Sequence, residues 1–332
     1  RRQRQMCIRD SFQANFIYNA IHMILQKSSE GLSTSGFENL EPHTAYLYIS
    51  NHRDIILDTS LLNVTLLEKG LIMTASAIGD NLVQKPFLLT LSRLNRNFLV
   101  QRGLTPRELL QSSKLMSEYM YHLIRRENRS VWIAQREGRT KDGNDATQQG
   151  VLKMLAMANE GQSLTEFFRK LKIVPVSISY EYDPTDVLKM PQLLAKANDE
   201  VYVKEKNEDF NNLLSGIMGQ KKHIHLHVGD VIDAELDVIA TENDNANKQI
   251  QALAQVLDEA IIKGYKLWPT NYIAYDLQNN TTRFADKYTE KEKQVFERRL
   301  DMRIDQDNPI LRDGFLAMYA NPVANKLKYE HA

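Results

Sequence analysis

Cysteine is almost missing from this chain: Cys7 is the only one in 332 residues. One thiol supports neither a disulfide framework nor a thiolate metal site, and its place in an arginine-rich leader gives no credible nucleophile, so the composition fits a reducing compartment. Net charge is missing too. Lys and Arg number 42 and Asp and Glu 42, which argues against nucleic acid as the main partner and leaves any pull on an anionic ligand to local clusters. No apolar run reaches the ~18 to 20 residues of a transmembrane helix, and no signal peptide is visible. There is no glycine-rich phosphate loop and no Asp-Phe-Gly. Their absence removes the protein-kinase reading that His52-Arg53-Asp54 invites, as does Thr59, which stands where that loop requires Asn.

What remains is an ordinary globular composition, 42% hydrophobic and 25% charged, in a length suited to one large domain with extensions. Residues 1–12 share no periodicity with the rest of the chain and read as a non-native leader, or alternatively as a basic tail that touches a membrane. From Phe12 into the N-terminal segment 13–40, apolar residues recur every three or four positions through Phe16, Ile17, Ala20 and Ile21 to Ile24. That spacing predicts an amphipathic helix whose greasy face meets either the core or a membrane interface.

Between 41 and 235 short apolar runs alternate with helical patterns, the signature of an α/β domain with a mixed central sheet flanked by helices. Strands are expected at 45–50, 71–77, 97–101, 130–135, 172–180 and 223–229, and helices at 55–68, 106–126, 147–159 and 187–197. Residues 198–222 are polar and read as a lid or a solvated insertion. Residues 236–332 read as a helical C-terminal extension with a charge-rich, solvated helix. His223, His225 and His227 project from one face of a strand, but three nitrogens at i, i+2 spacing seldom converge on one ion, and no metal is expected.

The densest chemistry lies at SNHRDIILDTSLLN, residues 50–63. The apolar run before it is a strand and the residues after Asp54 a helix, so His52 sits at a strand-to-helix turn facing a cleft. Either Asp58 or Asp54 can hold the ring in one tautomer, with Asp58 preferred. By themselves these residues fit a capped helix start with a solvated charge. They also admit a His–Asp base that deprotonates a hydroxyl.

Four segments in order favour the second reading. They are SNHRDIILD, then GDNL at 79–82 with NFLVQR at 97–102, then WIAQREGRTKDG at 132–143, and IVPVSISYEY at 173–182. Together they resemble the glycerolipid acyltransferase family, in particular its glycerol-3-phosphate branch. The chain departs from the family pattern in three places, one of them the second block, where the family's paired arginines appear as Gln101-Arg102 and only Arg102 carries over. Five residues separate His52 from Asp58 where the family has four, which turns a helical side chain by about 100°, so the pair meets only if the turn bulges or the helix begins later. Glu137, Gly138 and Arg139 are contiguous where the family spaces them.

The resemblance implies a fatty acyl transfer from a thioester, carried by coenzyme A or acyl carrier protein, to glycerol 3-phosphate or 1-acylglycerol 3-phosphate. His52 would be the base, oriented by Asp58, with Asp54 in reserve. Arg102, Arg139 and Lys141 would bind the acceptor phosphate, and Glu137 and Gly138 would form the acyl-transfer turn. No cofactor or metal is implied beyond the acyl donor as co-substrate. The expected partner surface is a membrane, approached peripherally from the cytoplasmic face. An acyltransferase acting on an amino-acid-derived lipid and a non-catalytic lipid-binding relative remain as alternatives.

Overall fold

The computed structural model describes residues 9, 11–305 and 307–330; Cys7 and most of the leader lie outside them. A short π-helical turn at Gln13–Ile17 leads into α1 (Tyr18–Ser28). Ile21 and Leu25 of that helix join the core, while Phe16 and Met23 face outward. The greasy stripe is thus divided between two destinations.

Seven strands come next: β1 (Ser29–Ser35), β2 (Leu47–Ser50), β3 (Thr74–Gly79), β4 (Asn97–Val100), β5 (Ser130–Ala134), β6 (Ile173–Tyr180) and β7 (Lys222–Val228). They form one sheet in the order β1-β7-β6-β2-β5-β3-β4. All neighbours pair in parallel except β6 and β7, so β6, β2, β5, β3 and β4 end on the same edge. Six of the strands answer to the sequence pattern. The seventh, β1, lies within the N-terminal segment 13–40 and was not expected there, because SEGLSTS carries a single large apolar residue. Its polar side chains serve another purpose: Ser33 and Ser35 bond the imidazoles of His225 and His227 at 2.8–3.0 Å.

The side chains of β2 alternate between two cores. Leu47 and Ile49 face a cluster roofed by α4 (Pro106–Arg126), α5 (Gln149–Leu155), α6 (Leu164–Leu171), α9 (Ala234–Glu242) and α10 (Ala246–Gly264). Tyr46 and Tyr48 face the other, roofed by α1 and α2 (Leu57–Glu68). Ten successive residues of α2, Leu57 to Leu66, are buried, the polar Asp58, Thr59, Ser60, Asn63 and Thr65 among them. Helix α4 begins at a capping box of Thr105 and Glu108 with Pro106 behind it.

Two boundaries differ from expectation. Helices α9 and α10 belong to the sheet's roof because Leu236, Ile239, Leu253 and Leu257 point into it. A separate helical core begins only with α11 (Pro269–Asn279), α12 (Glu290–Arg303) and α13 (Pro309–Glu330). The polar stretch 198–222 contains α8 (Glu208–Met218), which comes after α7 (Asp186–Ala197) and buries Asn212, Leu213 and Gly216.

Candidate active site

The common edge of the five like-directed strands is where open α/β sheets hold ligands. Here β2, the central strand, delivers His52. Asn51 fixes the turn by acting as one more rung of the ladder: its amide donates to the carbonyl of Ile178 at 3.0 Å and accepts the Ile178 N–H at 2.8 Å. His52 Nδ1 then lies 2.8 Å from Asp58 Oδ2. An ionised carboxylate only accepts, so Nδ1 carries the proton and Nε2 is left with its lone pair free. The ring is held edge-on against Trp132, 5.5 Å between centroids, and the indole N–H is engaged by Ser50 Oγ at 2.9 Å.

Asp58 is fully buried and well supplied with donors. Its Oδ2 also accepts the N–H groups of Arg53 (2.7 Å) and Asp54 (3.0 Å), and its Oδ1 accepts the Tyr180 hydroxyl at 2.9 Å. Burial and the adjacent Asp58 charge push the Tyr180 phenol well above its ordinary pKa, so it stays a donor.

The extra residue between His52 and Asp58 is absorbed by a late helix start. Helix α2 begins at Leu57, two residues after the expected 55, and Asp54 caps it: Asp54 Oδ1 accepts from Ile56 N (3.0 Å) and Leu57 N (2.8 Å). The reserve carboxylate is thereby turned away from the imidazole. Burial first, and then the Asp58 charge, raise its pKa. Gly216 of α8 packs on its free oxygen so closely that a Cβ there would lie 2.0 Å from Oδ2.

A second loop, 135–148, is fastened to the first. The N–H of Gln135 bonds to Ser50 O at 2.8 Å and that of Thr140 to His52 O at 3.1 Å. Gly138 has φ +69° and open space on its Cβ side, a left-handed turn that glycine adopts without penalty. Gln148 Oε1 takes up the Glu137 N–H at 2.8 Å. The next two N–H groups, of Gly138 and Arg139, make no hydrogen bond to the described residues.

Arg139 is buried and donates from Nη1 to Thr185 Oγ1 at 3.1 Å. Lys141, partly buried, forms no hydrogen bond or ion pair among the described residues. Burial, then the neighbouring charges of Arg139 and Lys189, bring its pKa down to about 7. Arg102 is elsewhere: it pairs with Glu137 at the exposed rim, and no hydrogen bond or ion pair joins it to Arg139 or Lys141. Gly79 opens the turn that carries Asn81, whose Oδ1 would lie 2.4 Å from a Cβ at that position.

Sequence reasoning overlooked Tyr180, Trp132, Asn51 and the ion pair of buried Arg53 with Asp145. Asp145 lies 92 residues from Arg53, and no local pattern links them. The first three lie within three of the four motif segments: the alternation of β6 and β5 is the signal for Tyr180 and Trp132, and Asn51 directly follows β2.

Residues 32–179 match the family model described as Acyltransferase, a span that contains every candidate site residue named from the sequence. Among solved structures, the chain is similar to the 1-acyl-sn-glycerophosphate (LPA) acyltransferase PlsC from Thermotoga maritima. The identity is 13%, the coverage 77% of this chain and 79% of that one, and the TM-score 0.45. No curated protein sequence matches. Residues 32–179 thus form an acyltransferase domain, and that match supports an acyltransferase enzyme.

Proposed function

We propose that the protein transfers a fatty acyl group from a thioester donor to the hydroxyl of glycerol 3-phosphate or its 1-acyl form in phospholipid synthesis. The observation that carries this reading is the His52–Asp58 contact at 2.8 Å with Nε2 left free. His52 Nε2 takes the proton of the acceptor hydroxyl as its oxygen attacks the thioester carbonyl. The tetrahedral oxyanion is met by the unengaged N–H groups of Gly138 and Arg139, which the Thr140–His52 bond keeps beside the imidazole. The carbon–sulfur bond then breaks, and the imidazolium returns the proton to the departing thiolate. The thioester is already activated, so a base is sufficient for this chemistry.

Arg139 and Lys141 bind the acceptor phosphate in this scheme, with Arg102 contributing from the rim. Association with the cytoplasmic face of a membrane is part of the same proposal. It is supported by the outward Phe87, Leu91, Leu109 and Leu110 of α3 (Pro86–Leu94) and α4. None of the described helices is long and apolar enough to cross a bilayer. The test is to offer purified protein a labelled acyl-coenzyme A or acyl carrier protein with each acceptor in turn. Ester formation that disappears in His52→Ala is the expected result. Acyl transfer only to an aminolipid would replace the phosphate acceptor, and no transfer to any acceptor would remove the proposal.

A further inference from the structure

Outside the catalytic loops, a groove of about 640 Å³ opens between α7 and α12, within the range of small-molecule sites. Its inner end touches the machinery already described. Thr185, on its wall, accepts from Arg139. Ser215, also on its wall, precedes the glycine that packs on Asp54.

The walls are apolar. Val187, Leu188, Val295 and Met302 line them, and the last three are substantially exposed for residues of their kind, at 38%, 41% and 74%. The cations are in excess. Arg299 and Arg303 share the single carboxylate of Asp186, at 2.6 and 2.9 Å. Arg298 stands beside them with no hydrogen bond or ion pair to any described residue. The Nε of Arg299, a buried residue, has no acceptor among the described residues.

We propose that this groove holds the 4′-phosphopantetheine arm of the thioester donor, its phosphate against Arg298 and Arg299 and its neutral, branched chain along the apolar wall toward Thr185. The inference rests on the acyl-transfer reading and deepens it. A reaction between two phosphate-bearing substrates needs two sets of cations. One set, Arg139 and Lys141, rides on the loop that Thr140 ties to the His52 carbonyl, and the other is supplied by the helical extension. The arm is common to acyl-coenzyme A and acyl carrier protein, so the same groove serves either carrier.

The experiment uses Arg298→Glu, a change at an exposed, unpaired side chain, with Arg312→Glu on α13 as a charge control. Binding of desulfo-coenzyme A and of apo and phosphopantetheinylated carrier protein is measured by calorimetry, beside the Michaelis constants for donor and acceptor. A charge-assisted phosphate contact at a rim predicts a rise of roughly tenfold in the donor constants. The acceptor constant and kcat should stay as they are, and Arg312→Glu should change nothing. Response to desulfo-coenzyme A identifies that carrier, and response to the modified but not the apo carrier protein identifies the other.

Donor constants indifferent to Arg298→Glu, an acceptor constant that moves instead, or no binding of any probe would overturn the groove assignment. Arg298-dependent binding without acyl transfer would support the groove and refute the proposed reaction. Transfer with Arg298-independent donor constants would do the reverse.

Discussion

The Tyr180 hydroxyl donates to Asp58 Oδ1 at 2.9 Å, on the oxygen that does not face His52. One carboxylate therefore joins two strands, β6 through the phenol and β2 through the imidazole, and the ring orientation depends on both. Tyr180→Phe should leave that buried oxygen short of a donor and lower stability by about 1–3 kcal/mol. A fall in kcat with little change in either Michaelis constant is expected alongside the lower melting temperature. An unaltered kcat would make the tyrosine a packing residue only.

His52→Ala should reduce turnover by ~10²- to 10⁴-fold in a protein whose circular dichroism is unchanged. Asp58→Asn should impair kcat strongly, since an amide no longer fixes the Nδ1 proton. The two aspartates are expected to separate by assay: Asp54→Ala removes the cap of α2 and should cost about 1 kcal/mol of stability in a urea titration while affecting rate less. The opposite ranking would exchange their roles.

Arg139→Gln and Lys141→Met should each raise the Michaelis constant for the phosphate acceptor, by roughly ten- to a hundredfold for the arginine. Arg102→Gln should do less, because Glu137 already compensates its charge at the exposed rim. Steady-state kinetics with both substrates varied distinguishes these cases. Equal effects from all three would mean that Arg102 leaves Glu137 when substrate arrives.

The low pKa of Lys141, about 7 without ligand, has a measurable sign. An incoming phosphate favours the ammonium, so binding at pH 8 should be coupled to proton uptake, and heats measured in buffers of different ionisation enthalpy should differ accordingly. Lys141→Met should abolish that difference. In the free protein the unfolded chain holds more protons than the folded one between about pH 7 and 10.5. This group therefore makes stability rise with pH across that window, and below it the burial penalty is constant.

The sequence disclosed the strands with strong alternation and the His–Asp pair, since both are local. It placed Asp58 near His52 only under the condition of a bulged turn or a late helix start, and Asp54 supplies the second by capping Ile56 and Leu57. It did not disclose β1, whose serines look like a loop until His225 and His227 stand opposite them. Burial and the charge of Lys266 bring His225 down to a pKa of about 4, so that imidazole is neutral and free to share protons with hydroxyls. Nor did it disclose that α8 abuts Asp54, because the contact is made by Gly216, which has no side chain to signal it. The separation of Arg102 from Arg139 was likewise hidden: spacing in a chain says nothing about which carboxylate each arginine finds.

The base rides on β2, with three strands on each side of it in the sheet, whereas the cations that would choose the substrate ride on loops and on a helix appended beyond the matched span. Amides of Ile49 and Ser50 should accordingly exchange with solvent only when the whole sheet opens, and those of 137–143 far sooner. Such a division leaves the chemistry insulated from change at the perimeter. New acceptors and carriers can be accommodated by altering a few peripheral arginines while the proton-transfer apparatus stays as it was.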